Sequence, residues 1–390
     1  MRVLYDGAIF ALQRAGGINR YAVNLIAHLP PPVRAILLID RPTDGSLPDC
    51  RTVEVSPGGD RRWARPFRRV PRWSQRRAFS PPAANVEADI LHPTYYTLLS
   101  STSLPKLRIP MVLTVYDLIH ERFSAMLDPR GEMAAIKRRA ILRADAILCP
   151  SQSAKRDLRE IYGIPEANIT VIPLASGLPM LRLYDPDSAP NERMAALDRP
   201  YFLYVGSRAP YKNFDRAVQA LRIVADKRPD VLLAAVGSPL GARERRRLRQ
   251  MSMQHHVHDF GQVDDTHLAH LYRNSVGLVY PSLYEGFGIP PLEAMSCGTA
   301  VISSNAASLP EVVGDAAMVF DPYDIEYLAA LMMLLLDSPT TRRQLIERGY
   351  RQAGRFSWAQ TARHTHCVYQ SVAGRTSHDA APSEPVLRAA

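Results

Sequence analysis

Apolar runs of strand length alternate with helix-like segments along this chain, and the alternation starts afresh at Tyr201. In the first half the strand-like runs are Val3–Asp6, Ala35–Ile39, Asp89–His92, Met111–Val115, Ala146–Cys149 and Thr170–Ile172. In the second they are Tyr201–Val205, Val231–Val236, Val257–Phe260, Val276–Tyr280, Ala300–Ser303 and Ala317–Phe320. Such runs separated by helices predict an α/β architecture, a parallel sheet covered on both faces. Helices are predicted over Asn19–Leu29, Gly131–Ala144 and Ser153–Ile161, with Ser151 or Ser153 as N-cap of the last. Asp264 or Asp265 caps a further helix through Tyr272, and Ser357 to Val372 reads as a final helical segment. At 390 residues the chain is long for one core, and its 46% hydrophobic content is enough for two buried sheets. The expected units are a Rossmann-like domain over 1–175, a linker over 176–199 and a second Rossmann-like domain over 200–356. A C-terminal helix over 357–373 and a disordered tail over 374–390 follow. The linker is marked by lost apolar periodicity and by proline, aspartate and asparagine. It holds Asp185-Pro-Asp187, formally a D-x-D, which in a proline-flanked loop reads as a turn rather than a metal site.

The segment richest in chemistry is Glu285-Gly-Phe-Gly-Ile-Pro-Pro-Leu-Glu293. The run Val276–Tyr280 before it reads as a buried strand, and Pro290 and Pro291 fit the first turn of a helix, where a missing N–H is harmless. Glu293 then lies about a turn inside that helix, while Glu285 stays before the loop. A strand, a glycine loop and a helix start present free backbone N–H groups and a positive dipole end, which suits a phosphate. The two acids can accept hydrogen bonds from sugar hydroxyls on either side of it. The bland alternative is a solvated helix start with ordinary surface acids.

This arrangement resembles the E-x7-E signature of retaining glycosyltransferases with the GT-B fold, in particular glycosyltransferase family four. The wider context agrees: Tyr280-Pro-Ser-Leu-Tyr-Glu-Gly-Phe-Gly, then Glu293-Ala-Met-Ser-Cys-Gly-Thr-Ala-Val-Ile, then Ser308-Leu-Pro-Glu-Val-Val-Gly-Asp-Ala-Ala. The resemblance implies two Rossmann-like parallel-sheet domains facing a cleft, the first on the acceptor side and the second binding the nucleotide sugar. It also implies a last helix that crosses back onto the first domain. Without a metal, cations and N–H dipoles must offset the charge that builds on a leaving diphosphate. Arg208 and Lys212, in Val205-Gly-Ser-Arg-Ala-Pro-Tyr-Lys-Asn213, leave the carboxyl end of a strand and can clamp both phosphates. By resemblance, Glu293 accepts hydrogen bonds from the ribose and Glu285 stands near the donor sugar. Backbone N–H groups of Phe287, Gly288 and Ile289 face sugar or phosphate, and Gly286 and Gly288 permit close approach. Gly237 and Phe260-Gly261-Gln262 are candidates to flank the base. Across the cleft, Gly16 and Gly17, within Gln13-Arg-Ala-Gly-Gly-Ile-Asn-Arg-Tyr21, resemble the family's N-terminal glycine pair beside donor phosphate and acceptor. Arg14 and Arg20 are candidate acceptor contacts. In Thr114-Val-Tyr-Asp-Leu-Ile-His120 many relatives carry His-Asp where this chain has Tyr116-Asp117. Asp117 remains a candidate for ordering sugar or acceptor. His120 either supplies the missing imidazole or is structural.

The resemblance implies a metal-independent, retaining hexosyltransferase with no cofactor beyond its nucleotide diphosphate sugar donor. The motif variant suggests a mannose-type sugar, or another hexose or deoxyhexose, carried on GDP. The expected acceptor is lipid-linked or a polysaccharide, in bacterial O-antigen, capsule or exopolysaccharide synthesis. Net charge is +10, and RRWARPFRRVPRWSQRR between Arg61 and Arg77 interleaves arginines with Trp63, Phe67 and Trp73. That composition suits an anionic membrane surface, with a solvated loop as the alternative. No recognition-helix or RNA-binding motif supports a nucleic-acid partner. The expected location is the cytoplasm, with peripheral contact to the inner face of the cell membrane. No apolar run approaches the roughly 20 residues of a membrane span, and no signal peptide is read before Arg2-Val-Leu-Tyr-Asp6. Cys50, Cys149, Cys297 and Cys367 are scattered, which argues for a reducing compartment and against structural zinc. Three other classes compete: a sugar-nucleotide epimerase on the same fold, a dinucleotide oxidoreductase, and an inert membrane-surface scaffold. No G-x-G-x-x-G follows either domain's first strand, which disfavours the second, and the paired Arg208/Lys212 and Glu285/Glu293 disfavour the third.

Overall fold

A computed structural model of the chain describes residues 1–12, 16–39, 47–48, 50–54, 87–98, 109–176 and 197–379. Arg14, Arg61–Arg77 and Asp185-Pro-Asp187 lie outside the described residues. Among the described residues, seven strands belong to the first half: β1 Arg2–Asp6, β2 Arg34–Ile39, β3 Arg51–Glu54, β4 Ile90–Leu91, β5 Val112–Thr114, β6 Ala146–Cys149 and β7 Ile169–Val171. They run in the order β3-β2-β1-β4 and β5-β6-β7, and a parallel bridge from Leu91 to Met111 joins the two groups. The helices of this half are α1 Ala8–Leu12, α2 Gly17–Ala27, α3 Ile119–Arg122, α4 Ser124–Leu127, α5 Glu132–Arg143 and α6 Gln152–Tyr162. Ser151 is the N-cap of α6, accepting from the Ala154 N–H, and Gly163 closes the helix at φ 66°.

The second half holds β8 Tyr201–Gly206, β9 Leu232–Gly237, β10 Val257–Gly261, β11 Gly277–Tyr280, β12 Val301–Ser304 and β13 Met318–Phe320. Their order is β10-β9-β8-β11-β12-β13, and every pairing is parallel. The helices are α7 Phe214–Ala225, α8 Ala242–Gln250, α9 Asp265–Asn274, α10 Ile289–Ser296, α11 Leu309–Val313, α12 Ile325–Asp337, α13 Pro339–Ala353 and α14 Trp358–Asp379. Asp264 caps α9 through the His267 N–H. The strands are buried because helices cover both faces of each sheet: Phe202, Leu203, Leu232, Leu233, Leu278 and Val279 are all inaccessible to solvent.

In both sheets the winding direction reverses once, between β1 and β4 and between β8 and β11. Open parallel sheets bind ligands outside the carboxyl ends of the strands at such a switch point. The loops that leave β1, β8 and β11 carry Gly16-Gly17, Arg208 with Lys212, and Glu285, all predicted site residues, to the carboxyl ends of the strands beside these switch points.

α14 lies against the first sheet. Trp358 Nε1 donates to the Ser176 carbonyl (3.0 Å), and Thr361 Oγ1 donates to that of Pro173 (2.8 Å). Further along, Tyr369 is fully buried, sharing hydrogen bonds with Tyr5 (2.8 Å) and His92 Nδ1 (2.5 Å). The helix continues to Asp379, past Gly374, where the sequence reads as the start of the tail. A single glycine costs a helix only about 1 kcal/mol, and no proline intervenes before Pro382. Strand β3 is absent from the predicted set because Arg51-Thr-Val-Glu54 is an edge strand with one apolar residue, Val53, in four, so no pattern marks it. Among the described residues, no helix is long and apolar enough to cross a membrane.

Candidate functional site

After β8 the chain turns through a short 3-10 stretch, Pro210–Lys212, and Asn213 takes a left-handed conformation (φ 60°) before α7 begins. The Asn213 amide donates to the carbonyls of Pro281 and Pro322 (both 2.9 Å), which ties this loop to the one after β11. Lys212 is thereby brought beside Glu285. Its Nζ donates to Glu285 Oε1 at 2.6 Å and reaches the Tyr280 hydroxyl at 3.4 Å. Tyr280 donates to the same Oε1 at 2.8 Å. Burial alone would lower the Lys212 pKa, but Glu285 and the Tyr280 and Tyr211 hydroxyls outweigh it and hold the ammonium well above its usual value.

Arg208 lies in the same loop. Its guanidinium stands over the rings of Tyr204 and Phe214, with its central carbon 5.0 and 4.7 Å from their centroids, and Nη1 donates to the Gly206 carbonyl (2.7 Å). Nε and Nη2 are buried and have no partner among the described residues. Burial presses its pKa below the usual arginine value, although an arginine stays charged at neutral pH. Two buried, charged N–H groups without acceptors are the kind of cradle that an anionic oxygen fills.

The glycine loop is fixed from below. Ser308 Oγ donates to the carbonyls of Glu285 and Phe287, each at 2.8 Å, and Ser151 Oγ donates to that of Gly286 (2.7 Å). Gly288 sits at φ 107°, a conformation that needs glycine. A Cβ on Gly286 would stand 1.8 Å from the Tyr116 carbonyl oxygen, so at this residue the two domains touch backbone to backbone. Phe287 turns its ring onto Phe356 (5.7 Å between centroids), leaving its backbone at the loop, and Ile289 opens α10. The first amides of that helix have no partner within it.

Glu293 is buried at 4% exposure. Tyr272 donates to its Oε2 (3.1 Å), and Arg20, from the first domain, donates to its Oε1 (3.2 Å) while also pairing with Asp265. Burial raises the Glu293 pKa, and Arg20 and Tyr272 offset only part of the rise. Arg20, predicted as an acceptor contact, is thus seated on the carboxylate predicted to hold the ribose. Its reach across the domains could not be seen in the local sequence.

Gly16 and Gly17 open α2, and a Cβ on Gly17 would meet nothing within 4 Å. Tyr116 turns its side chain into the first domain. Its side chain is buried and its hydroxyl donates into the first domain, to the Thr94 carbonyl (3.3 Å), so its backbone rather than its ring borders the cleft. Asp117 Oδ1 accepts from the Ile119 N–H (3.1 Å) and from Lys137 (3.0 Å). Burial would raise the Asp117 pKa, and Lys137 and Ile119 bring it below the usual range instead. His120 is half-buried with Nδ1 unpartnered among the described residues, and burial lowers its pKa. Phe260 is packed into the hydrophobic core at 5% exposure, so its side chain belongs to the fold. Three residues that the motifs did not single out join the domains. Glu311 accepts from the Gln152 and Ser153 N–H groups at the start of α6 (2.7 and 2.8 Å), and Tyr284 donates to Asp157 (2.6 Å). These links span more than a hundred residues, and the sequence marks one end of each, in Ser308-Leu-Pro-Glu311 and in Tyr280-Pro-Ser-Leu-Tyr284.

Comparison with known proteins bears on the fold and the family. The family model "Glycosyltransferase Family 4" matches residues 15–175, and "Glycosyl transferases group 1" matches 187–352. O-antigen chain mannosyltransferase B of Escherichia coli is 32% identical over 236 residues, covering 58% of this chain and 61% of that protein. The serotype-specific mannosyltransferase WbdA of Escherichia coli is 31% identical over 306 residues, covering 72% of this chain and 36% of the relative. The chain therefore spans less than two thirds of either relative's length. Anabaena Alr3699/HepE, solved in complex with UDP and glucose, superimposes with a TM-score of 0.70 at 18% identity, covering 95% of this chain and 100% of the other. That likeness establishes the GT-B fold, two parallel-sheet domains facing a cleft. With the two models together matching most of its length, the chain belongs to the family-four type of glycosyltransferases.

Proposed function

We propose that this protein transfers a mannose-type hexose, with retention and without a metal, from a GDP-sugar to a lipid-linked or polysaccharide acceptor in bacterial surface glycan synthesis. The observation that carries the reading is the cation pair at the switch point: Lys212 on Glu285, and Arg208 with two buried, unpartnered N–H groups in the same loop. A diphosphate laid across that loop gives Arg208 the acceptors it lacks. The names of the Escherichia coli relatives support mannose and O-antigen. The UDP and glucose of the Anabaena protein support a nucleotide sugar as the donor class.

In the reaction the anomeric C–O bond to the diphosphate breaks with its electron pair going to the phosphate oxygen. The acceptor hydroxyl forms the new bond to the same carbon on the same face, and its proton passes to a phosphate oxygen. Arg208, Lys212 and the amides at the start of α10 offset the charge that appears on the leaving group. Glu285, held by Lys212 and Tyr280, faces the sugar. Ribose hydroxyls that use Glu293 share it with Arg20, so donor binding and contact between the domains are coupled. The same closure excludes water.

The test is a panel of GDP-, UDP- and dTDP-sugars read by thermal shift, followed by turnover with a lipid-linked or oligosaccharide acceptor in the presence of EDTA. A GDP-mannose-type donor should raise the midpoint, and the product should keep the donor's anomeric configuration at an undiminished rate in EDTA. An inverted product, or activity abolished by EDTA and restored by a divalent ion, overturns this mechanism. Rearrangement of the donor without acceptor would favour an epimerase. Retention of membrane binding with no turnover of any donor would favour a scaffold.

A further inference from the structure

Lys137 stands on α5, outside every motif, yet it is only 1% exposed. Its Nζ donates to the Asp117 backbone carbonyl (2.9 Å), to Asp117 Oδ1 (3.0 Å) and to Glu121 Oε2 (3.3 Å). The three ammonium protons thus have three acceptors. Glu121 is held in turn by the Tyr162 hydroxyl, which donates to its Oε1 at 2.6 Å. The Tyr96 ring lies 5.4 Å beneath the ammonium. Apolar side chains of similar volume would pack this space at least as stably as a buried ion cluster. What the cluster fixes and apolar packing would not is Asp117.

The Asp117 carboxylate is anchored on one side only. Oδ1 holds Lys137 and the Ile119 amide, while Oδ2 has no partner among the described residues, and the side chain is 32% exposed. Its Cβ lies 3.0 Å from where a Cβ on Gly286 would stand. The free oxygen therefore belongs to a carboxylate at the seam between the glycine loop and the first domain. We propose that Lys137 is a positioning residue: it clamps the Asp117 backbone and Oδ1 so that Oδ2 is presented to a hydroxyl of the sugar or the acceptor. This rests on the transferase reading above. Without the clamp the loop from Tyr116 to His120 loses the contact made to the Asp117 carbonyl, and Asp117 loses the cation that holds its pKa down.

Lys137→Met, Lys137→Arg, Asp117→Asn and the Lys137→Met/Asp117→Asn double variant test this. Lys137→Met should lower acceptor kcat/KM by about 100-fold, the effect of misplacing a reacting contact by about 1 Å. Affinity for free GDP, measured by calorimetry, should stay within about twofold, because the second domain supplies those contacts. Lys137→Arg should recover part of the loss. The double variant should be no worse than Asp117→Asn alone, since both changes act through one carboxylate. In Lys137→Met the acid limb of the kcat/KM profile should move to higher pH. Losses that add in the double variant, or Lys137→Met turning over at the wild-type rate, overturn the proposal. If Lys137→Met does not fold, the pair Lys137→Arg and Lys137→Arg/Asp117→Asn is read by the same additivity criterion. Carbon-13 titration of Asp117 needs no turnover. If the wild type transfers no sugar, an Asp117 pKa that still rises in Lys137→Met keeps the clamp and rejects only the transferase reading. An unmoved Asp117 pKa rejects the clamp.

Discussion

Replacing Gly286 with alanine should separate closure of the cleft from binding of the nucleotide. The new methyl would stand 1.8 Å from the Tyr116 carbonyl oxygen and 2.9 Å from its carbon. Real Cβ contacts do not fall below 3.0 Å, so backbone must part from backbone by at least 1.2 Å. Neither side yields easily. Ser151 and Ser308 hold the glycine loop through three hydrogen bonds, and the Tyr116–Asp117 segment is held by Tyr96, Thr94 and Lys137. The displacement therefore appears as a gap between the domains. A misplacement of about 1 Å costs roughly 10²-fold in rate, equivalent to about 2.7 kcal/mol of transition-state stabilisation. The predicted result is a kcat/KM lower by about two orders of magnitude, with GDP affinity by calorimetry within about threefold of wild type and a far-UV spectrum unchanged. Small-angle scattering should report a more open particle. An alanine variant with wild-type turnover would show that the contact seen here is not part of the reacting geometry, and the reasoning would fail.

Lys212→Ala should lower kcat by roughly 10²–10³-fold and also lower the melting temperature, because Glu285 keeps its burial and loses its cation; calorimetry and a transfer assay measure both. Arg208→Met should weaken GDP binding by about tenfold or more, as loss of a charged hydrogen bond of about 1.5–3 kcal/mol implies, yet leave the melting temperature equal or higher. Glu311→Ala removes the cap from the start of α6, a contact of about 1 kcal/mol. It should reduce kcat several-fold with GDP affinity unchanged, and a normal kcat would show that the cap is not used in closure. His92 is buried among Tyr5, Tyr369, Thr114 and Tyr21, and burial pushes its pKa down to about 3, so it is neutral in the fold. The unfolded chain binds that proton near pH 6.5 and the native chain does not, so the stability His92 contributes is complete above about pH 6.5 and declines as pH falls towards 3. The melting-temperature gap between wild type and His92→Gln should narrow over that interval, and a pH-independent gap would refute the assignment.

The parts of the fold legible in the sequence are those fixed by local patterning. The buried strands β8, β9 and β11 announce themselves as apolar runs, and Ser151 and Asp264 as caps. Glu285, the glycine loop and Glu293 are adjacent in sequence, so their spacing carries the site. What stayed hidden depends on partners far along the chain. Lys137 looks like one more cation of a basic helix until Asp117, twenty residues earlier, is seen beneath it. Arg20 looks like an acceptor contact until Glu293, 273 residues later, is found on its guanidinium. At Tyr116, where many relatives carry histidine, it is the backbone carbonyl that meets Gly286. Position in a motif says nothing of where the side chain turns.

The opposite stability changes expected at Arg208 and Lys212 follow from how each cation is compensated. Lys212 is neutralised by a carboxylate at 2.6 Å that is itself held by Tyr280, so its removal strands a buried anion. Arg208 has aromatic faces beneath it and one backbone carbonyl, with two N–H groups left over. An unmet buried donor costs about 1–3 kcal/mol, which the cation–π contacts of about 0.5–2 kcal/mol only partly offset. A methionine there loses the contacts and the penalty together. Such an arrangement has a purpose only if something else supplies the acceptors. A leaving diphosphate gains charge as the sugar departs, and a cation held short of partners interacts more strongly with it at that moment than with the intact donor. A cation already paired gains less. Arg208 should therefore act on kcat as well as on affinity, and Lys212 through the orientation of Glu285 as well as through its charge. A charge-conserving Arg208→Lys, which keeps the cation and loses the planar fork, should restore binding more fully than turnover.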